Sequence, residues 1–168
     1  MRIGVVSDTH MPRRGAELPA KLRQALKTCD LILHLGDWVT MDVYEQLAAL
    51  APVDGVAGNN DPVDIIRRFG QHKILELGGR RIGLTHGHLP GGGHGARDNA
   101  ERVFAGKPVD AVLFGHSHKP YLAESGGVLW FNPGSPTDKR REPKYSFGVL
   151  EITPQVIEAR HIYMDAKK

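Results

Sequence analysis

The hydrophobic positions of this chain follow two different spacings, and each spacing predicts a different element. Short apolar runs bounded by glycine or polar residues are typical of buried strands, whereas apolar residues three and four positions apart indicate amphipathic helices. The first half of the chain predicts strands at 3–6, 31–35 and 53–57 and helices at 18–28 and 42–50. This β-α-β-α-β order favours a largely parallel sheet that is covered by helices.

The second half of the chain predicts β-hairpins, in contrast to the helix-connected parallel strands of the first half. Gly78 and Gly79 separate predicted strands at 72–77 and 81–85, which is a typical hairpin signal. The remaining predicted elements are a helix at 96–105 and strands at 111–114, 121–124, 128–131, 145–152 and 156–162. We therefore expect a single α/β domain over residues 1–168, in which two sheets stack and helices cover their outer faces.

The composition is that of an ordinary globular protein, and it narrows the range of partners. A chain of 168 residues is long enough to bury a good core in one domain. The content of 40% hydrophobic and 24% charged residues is unremarkable for such a domain. The formal net charge of +3 suits an anionic substrate. Nucleic-acid binders usually concentrate their positive charge on one face, so we expect no standing nucleic-acid partner.

Neither a membrane anchor nor a leader is predicted from the sequence. No apolar stretch approaches the roughly 18 residues of a membrane span, and the apolar run at 3–6 is shorter than the core of a signal peptide, about 7–15 residues. We therefore expect a cytoplasmic protein without a membrane partner, and the sequence is compatible with an oligomer. The single cysteine, Cys29, lies on the apolar stripe of the first predicted helix and is expected in the core.

Residues that can bind metals or move protons follow five of the predicted strands. Ligands bind to open α/β sheets outside the carboxyl ends of their strands, so these endings can converge on one pocket. A polar turn would explain any one ending, but coincidence at all five is improbable. The residues concerned are Asp8 and His10, Asp37, Asn59 with Asn60 and Asp61, His86 and His88, and His116 and His118.

The chemistry of these side chains indicates a metal site. Carboxylate, amide and imidazole groups are mixed and no thiolate is present, which suits Mn²⁺, Fe or Zn²⁺. The candidate ligands are too many for one ion, but they divide sensibly between two ions if Asp37 bridges them. Two metals about 3.5–4 Å apart can clamp an in-line displacement at phosphorus. Such a pair also lowers the pKa of a shared water and so supplies a hydroxide nucleophile.

At these positions the chain resembles a known family. Five motifs match, in order, the signature of the calcineurin-like metallophosphoesterases: Asp8-x-His10, Gly36-Asp37, Gly58-Asn59-x-Asp61, His86-Gly-His88 and Gly115-His116-x-His118. The size of the chain and Asn-Pro-Gly-Ser at 132–135 resemble the small bacterial and archaeal phosphodiesterase branch. The resemblance implies a four-layer α-β-β-α sandwich of two mixed sheets flanked by helices. It also implies a metal-dependent phosphodiesterase that acts on a small phosphoester.

The resemblance further implies a division of the ligands between two divalent ions. Asp37 would bridge both ions, which are expected to be Mn, with Fe, Zn or Ni as alternatives. The first ion would also be bound by Asp8, His10 and His118, and the second by Asn59, His86 and His116.

At Asn60 the chain departs from the pattern of many larger relatives, which place histidine there in a Gly-Asn-His-Asp/Glu motif. That histidine is thought to protonate the leaving oxygen, whereas an asparagine amide can donate a hydrogen bond but not a proton. The candidate catalytic residues are therefore Asn60, Asp61 and His88. Asp61 is expected to hold the Asn60 amide. His88 could replace the acid, contact the substrate or simply pack beside the site.

The sequence also bears on two alternatives to a phosphodiesterase. The small phosphoesterase-like subunit of retromer resembles this fold but is a protein-binding scaffold with an altered metal site, whereas all seven ligand positions here can coordinate. A metallo-β-lactamase-like hydrolase would need a His-x-His-x-Asp-His cluster, which the sequence lacks. Outside these motifs, the basic run Lys139-Arg140-Arg141, with Lys144, predicts an exposed loop.

Overall fold

A computed structural model describes residues 1–90 and 94–167, and in these residues ten strands and four helices follow one another. Their order is β1 (Arg2–Val6), α1 (Ala20–Leu26), β2 (Leu31–His34), α2 (Met41–Ala48), β3 (Val53–Gly55), α3 (Val63–Phe69), β4 (His72–Leu77), β5 (Arg80–Thr85), α4 (Ala96–Phe104), β6 (Ala111–Leu113), β7 (Tyr121–Ser125), β8 (Val128–Asn132), β9 (Tyr145–Ile152) and β10 (Ile157–Met164).

The strands form two mixed sheets of five strands each. The first sheet has the order β10-β9-β1-β2-β3 and the second β4-β5-β6-β8-β7. The pairs β1/β2, β2/β3, β5/β6 and β6/β8 are parallel, whereas the pairs β9/β10, β1/β9, β4/β5 and β7/β8 are antiparallel. The parallel pairs place the carboxyl ends of β1 and β2, and of β5 and β6, at the same edge of their sheets.

Three apolar layers hold the sheets and helices together. The inner layer packs side chains of one sheet, such as Val5 and Leu33, against those of the other, such as Leu84. Helices α1, α2 and α3 cover the outer face of the first sheet, and α4 covers that of the second. This arrangement confirms the four-layer sandwich of two mixed sheets that the sequence predicted.

The packing of α1 also explains why β1 contains a glycine. Successive side chains of a strand point to opposite faces, and in β1 Ile3 and Val5 face the second sheet while Gly4 faces α1. A Cβ at Gly4 would clash with the side chain of Leu26 on that helix. Cys29 follows α1 and is buried in the same layer, as the apolar stripe predicted.

One helix was missed in the sequence and one was predicted too long. Helix α3 (Val63–Phe69) has only seven residues and buries only Ile65 and Phe69, so its periodicity is too short to detect. Helix α1 begins at Ala20, after Pro19, and ends at Leu26, inside the predicted range of 18–28. Among the residues that the structure describes, no helix has both the length and the apolar character needed to cross a membrane.

Candidate metal centre

The polar residues that follow the parallel strands meet at one edge of the sandwich. Within the first sheet, the Asp8 N–H donates to the carbonyl of Gly36 at 3.0 Å. Between the sheets, the backbone N–H of His116 donates to Asp8 Oδ2 at 3.0 Å, and the ring of His86 bonds to the Leu35 carbonyl at 2.7 Å. The edges of both sheets therefore form one site, as the sequence predicted.

Six side chains form two compact groups at this edge. Within each group, one candidate ligand atom from each residue lies within 4.8 Å of the others. The first group is Asp8, His10 and His118, and the second is Asp37, His86 and His116. These are six of the seven residues that the sequence predicted as metal ligands, divided between two groups in the predicted way.

The backbone of this edge is strained where the ligands lie. A positive φ is uncommon outside glycine, and such residues cost on the order of 1–3 kcal/mol each and are held only where the surroundings determine them. Five of the six clustered residues have such angles: Asp8 (57°), His10 (46°), Asp37 (60°), His116 (71°) and His118 (60°). The fold therefore holds these side chains against local preference, as is typical of functional sites.

In the first group, three buried atoms face one another without hydrogen bonds. Asp8 Oδ2 accepts hydrogen bonds from the Ser7 hydroxyl at 2.7 Å and from the His116 N–H. Among the described residues, Asp8 Oδ1 has no hydrogen-bond partner. His118 donates its Nδ1–H to the Asp138 carbonyl at 2.5 Å, so its Nε2 faces Asp8 Oδ1 at 3.5 Å. Within the described residues, Asp8 Oδ1, His10 Nε2 and His118 Nε2 are buried and unbonded. Buried polar atoms are rarely left unsatisfied, and a divalent cation fits all three.

In the second group, a backbone carbonyl fixes the histidine tautomer. A carbonyl oxygen only accepts, so His86 donates its Nδ1–H to the Leu35 carbonyl, and its Nε2 turns toward the site. That Nε2 lies 3.3 Å from Asp37 Oδ2 and 3.3 Å from His116 Nδ1. Metal-binding histidines are commonly oriented by such a bond from their other ring nitrogen. The second group therefore also has the donors and the orientation that a divalent ion needs.

Asp37 lies between the two groups. Its Oδ2 is 3.4 Å from His10 Nε2 in the first group and 3.3 Å from His86 Nε2 in the second. Both of its oxygens are also held by Asn60, which donates its backbone N–H to Oδ1 at 2.9 Å and its side-chain amide to Oδ2 at 2.8 Å. One carboxylate oxygen is thus within reach of ligands of both groups.

The carboxylates also control the charge of the buried histidines. Burial alone would lower the pKa of His86, but the charges of Asp8 and Asp37 outweigh burial and raise it to about 9. Burial likewise opposes ionisation of Asp37, yet its bonds to His86 and Asn60 hold its pKa below the usual range. Burial lowers the pKa of His10 and of His116. Without a cation, His86 is therefore the histidine of these three that carries the proton at neutral pH.

This protonation predicts that metal binding releases a proton. At pH 7 an ion must displace the proton of His86, while the neutral His10 and His116 release none. Titration calorimetry of Mn²⁺ binding in buffers of different ionisation enthalpy should show the release of at least one proton per protein, because a metal-bound water that ionises would add to the proton of His86. The apparent affinity should rise at least about tenfold per pH unit between about pH 7 and pH 9. Glu158→Gln changes an exposed residue at the end of the first sheet opposite to the site, and this variant should release the same number. Binding without proton release would contradict this charge assignment.

Asp61 does not hold the Asn60 amide, so that expectation was wrong. Its carboxylate accepts three backbone N–H groups: those of Asp37 (2.8 Å) and Gly58 (2.7 Å) at Oδ2, and that of Val39 (2.7 Å) at Oδ1. The turns that follow β2 and β3 direct these three N–H groups toward the Asp61 carboxylate, whereas the Asn60 amide bonds to Asp37. Burial raises the pKa of Asp61 to about 6, although the backbone bonds oppose this shift. Asp61 is thus a positioning residue for the backbone around Asp37.

The remaining predicted residues lie at the rim of the site. Asn59 and Asn60 are exposed on the turn after Gly58, where Asn60 contacts Asp37. His88 is half-buried, with its ring centroid 5.4 Å from that of His86. Burial, and then the charge of His86, lower the pKa of His88. It is therefore a neutral imidazole beside the second group. The metal-binding roles of Asn59 and of the six clustered residues, and the catalytic roles of Asn60 and His88, stay predictions.

Several supporting residues had no clear signal in the sequence. Asn132 donates its amide to the Gly115 carbonyl at 3.0 Å, and Ser135 donates its hydroxyl to the Asp8 carbonyl at 2.8 Å. The Asn-Pro-Gly-Ser motif at 132–135 thus supports the turn that carries Asp8 and the turn that carries His116 and His118. Asp138 orients His118 through its backbone carbonyl, a contact that depends on no particular side chain. The buried His34 accepts the N–H of Gly36 at 3.2 Å.

A four-layer sandwich with paired carboxylate and histidine groups at its strand ends defines the class of metal-binding phosphoesterase-like proteins. Over residues 1–155 the chain matches the calcineurin-like phosphoesterase superfamily domain, and it belongs to this family.

Similarities to individual proteins are consistent with membership of this family. A probable metallophosphoesterase of Methanothermobacter thermautotrophicus is 35% identical over 168 residues, covering 96% of this chain and 92% of that protein. Vps29 of Entamoeba histolytica, solved in complex with zinc, is 27% identical with a TM-score of 0.77, and the match covers 97% of this chain and 99% of that one. A novel archaeal phosphodiesterase shares the fold at 24% identity and a TM-score of 0.76, covering 98% of this chain and 100% of that one.

Proposed function

We propose that this protein is a phosphodiesterase that depends on two divalent metal ions. The observation that carries the proposal is the trio of buried, unbonded atoms in the first group, Asp8 Oδ1, His10 Nε2 and His118 Nε2. The second group and the shared Asp37 Oδ2 support a second ion beside the first. Membership of a metallophosphoesterase family supplies the reaction class, the hydrolysis of phosphoesters.

The donors of both groups suit several first-row metals. Carboxylate and imidazole ligands suit Mn²⁺, Fe²⁺, Zn²⁺ and Ni²⁺, and we propose Mn²⁺ as the functional ion. The zinc complex of the Entamoeba Vps29 supports zinc as the main alternative. When bound, the ions would polarise the phosphoryl group and activate water at neutral pH.

The chain itself would orient the substrate with groups at the rim. One N–H of the Asn60 amide is bonded to Asp37 Oδ2, which leaves its second N–H for a phosphoryl oxygen of the substrate. His88 has a buried Nδ1 with no partner among the described residues, and its lowered pKa keeps it neutral near pH 7. A neutral imidazole in this place can accept a hydrogen bond from the substrate or from water. These two side chains form the proposed substrate-binding rim.

A scaffold function is the second candidate, and the likeness to Vps29 favours it. The name of a further neighbour, Vacuolar Protein Sorting 29 of Cryptosporidium parvum, points to sorting, but at 21% identity this neighbour shows only the fold. The Entamoeba protein binds zinc, so metal binding alone does not separate a scaffold from an enzyme. Hydrolysis does separate the two.

The test is a screen of metals against substrates on the purified, metal-free protein. We expect binding of more than one equivalent of metal per chain and metal-dependent hydrolysis of bis(p-nitrophenyl) phosphate, strongest with Mn²⁺ among Mn²⁺, Fe²⁺, Zn²⁺, Ni²⁺ and Mg²⁺. The diester should be cleaved faster than p-nitrophenyl phosphate, the matched monoester. A chain that binds metal below one equivalent, or that binds two ions without hydrolysing any ester, would support the scaffold.

A further inference from the structure

A basic groove of about 420 Å³ opens next to the metal centre. Four of the side chains that line it are cationic and one is acidic. The lining residues are Ser117, Lys119, Lys139, Arg140, Arg141 and Glu142. The sequence predicted an exposed loop for the basic run, and Arg140 and Arg141 are exposed. Lys144, which belonged to the same predicted run, pairs with Asp165 at 3.3 Å and does not line the groove.

The groove adjoins the turn that carries two histidines of the metal centre. Ser117 lies between His116 and His118 in the chain, so one wall of the groove is part of the same turn. The opposite wall follows Asp138, whose carbonyl holds the ring of His118. Burial is the main cause of the lowered pKa of His116, and the charge of Arg140 acts in the same direction. Both walls of the groove are therefore continuous with backbone that holds His118 in the metal centre.

Hydrogen bonds hold both walls of the groove in place. Ser117 Oγ accepts the Lys119 N–H at 3.2 Å and the Asn132 amide at 3.1 Å. The opposite turn is closed by the Glu142 N–H, which donates to the Lys139 carbonyl at 2.9 Å, and by Lys139 Nζ, which donates to the Glu142 carbonyl at 3.1 Å. The backbone that carries the cations, and the ammonium group of Lys139, are thus held by the fold.

The positive charge of the groove is poorly compensated. Over residues 1–90 and 94–167, no carboxylate lies within 4.0 Å of the charged groups of Lys119, Lys139, Arg140 or Arg141. Like charges gathered in a cleft repel one another and attract anions from solution. Guanidinium groups match phosphate in particular, because their N–H groups can donate two parallel bonds to it.

We infer that the groove binds a second phosphate group of the substrate, so that the preferred substrates are small phosphodiesters that carry a further phosphate. This inference rests on the proposed function, because it places the scissile phosphorus at the metal centre and the second anion beside it. The expected binding order is therefore set by charge: a bisphosphate binds more tightly than the matching monophosphate.

Two pairs of ligands that differ by one phosphate test the inference. For hydrolysis, the p-nitrophenyl ester of thymidine 5′-phosphate is compared with the same ester carrying a 3′-phosphate, so that the leaving group is identical. For binding, thymidine 5′-phosphate is compared with thymidine 3′,5′-bisphosphate by calorimetry on the Mn²⁺-loaded protein. The 3′-phosphate should raise kcat/KM and tighten Kd by about tenfold or more, the effect of one added charge-assisted contact.

The variant Lys119→Gln/Arg141→Gln should remove most of this advantage. It spares Arg140, whose charge reaches His116, and the matched control Lys27→Gln removes an exposed cation far from the groove. The advantage should also shrink as salt is added. A bisphosphate that binds no tighter than the monophosphate, or an advantage that persists in the double variant, would overturn the inference.

The two readouts distinguish this inference from the proposed function. If both esters are hydrolysed equally well and both nucleotides bind equally, the groove assignment fails while the phosphodiesterase stands. If neither ester is hydrolysed but the bisphosphate still binds more tightly through Lys119 and Arg141, the phosphate site stands and the proposed function fails.

Discussion

Asp37→Ala is expected to abolish hydrolysis of phosphodiesters and to lower metal occupancy in both groups. Asp37 Oδ2 lies within 3.4 Å of a histidine nitrogen of each group. It is closer to the second group than Asp8 Oδ1, which is 3.7 Å from His86 Nε2. Its negative charge would also offset the repulsion between two neighbouring cations. The loss should exceed the roughly 10–100-fold that follows when only an outer hydrogen-bond partner of a ligand is removed.

Two variants provide the comparison for Asp37→Ala. Asn59→Ala should mainly weaken the second ion, because the resemblance assigns Asn59 to that ion alone. Asp54→Ala removes a carboxylate that lies outside the site and pairs with Lys73 Nζ at a distance of 2.9 Å. This variant should leave the binding of both metals and the turnover unchanged. The measurements are metal content after dialysis and kcat/KM, with circular dichroism to check folding. An Asp37→Ala protein that kept two tightly bound ions and near-normal turnover would refute the shared-ligand assignment.

The second large effect concerns the leaving group of the substrate. Asn60 can donate a hydrogen bond but no proton, and positioned general acids contribute roughly 10²–10⁴-fold. We therefore expect fast cleavage of activated aryl diesters, slow cleavage of alkyl diesters, and a steep dependence of log kcat/KM on the pKa of the leaving group. Asn60→His should raise the rate chiefly for poor leaving groups and so flatten that dependence.

Controls separate proton donation from simple positioning. Asn60→Ala removes the bond to Asp37 Oδ2 without adding an acid, so it should slow all substrates without flattening the dependence. The lowered pKa of His88 keeps its imidazole neutral and without a proton to give near pH 7, so His88→Asn should leave the dependence on the leaving group unchanged. A shallow dependence in the wild-type protein that Asn60→His leaves unchanged would mean that the proton comes from another group.

The general layout of the site could be predicted from the sequence because it follows from topology. Apolar runs followed by carboxylates and histidines mark strand ends, and parallel neighbours such as β1 and β2 bring their ends to one edge. This rule was enough to gather Asp8, Asp37 and His116 without knowledge of any distance. The same patterns predicted the two stacked sheets, which the inner apolar layer confirms.

The details that were missed depend on backbone geometry, which leaves little trace in side-chain patterns. Asp61 was assigned to the Asn60 amide, yet it accepts three backbone N–H groups, and one of them belongs to Val39, which has a φ of 77°. A positive φ at a β-branched residue contradicts local preference and could not be predicted. His118 is likewise oriented by the carbonyl of Asp138, which any residue could supply.

The claim that two divalent ions bind at the strand ends is tested most directly by anomalous diffraction from crystals grown with Mn²⁺. We expect two peaks per chain about 3.5–4 Å apart. One should contact Asp8, His10 and His118, the other His86 and His116, and Asp37 should contact both. A single peak, or two peaks that do not share Asp37, would contradict the account.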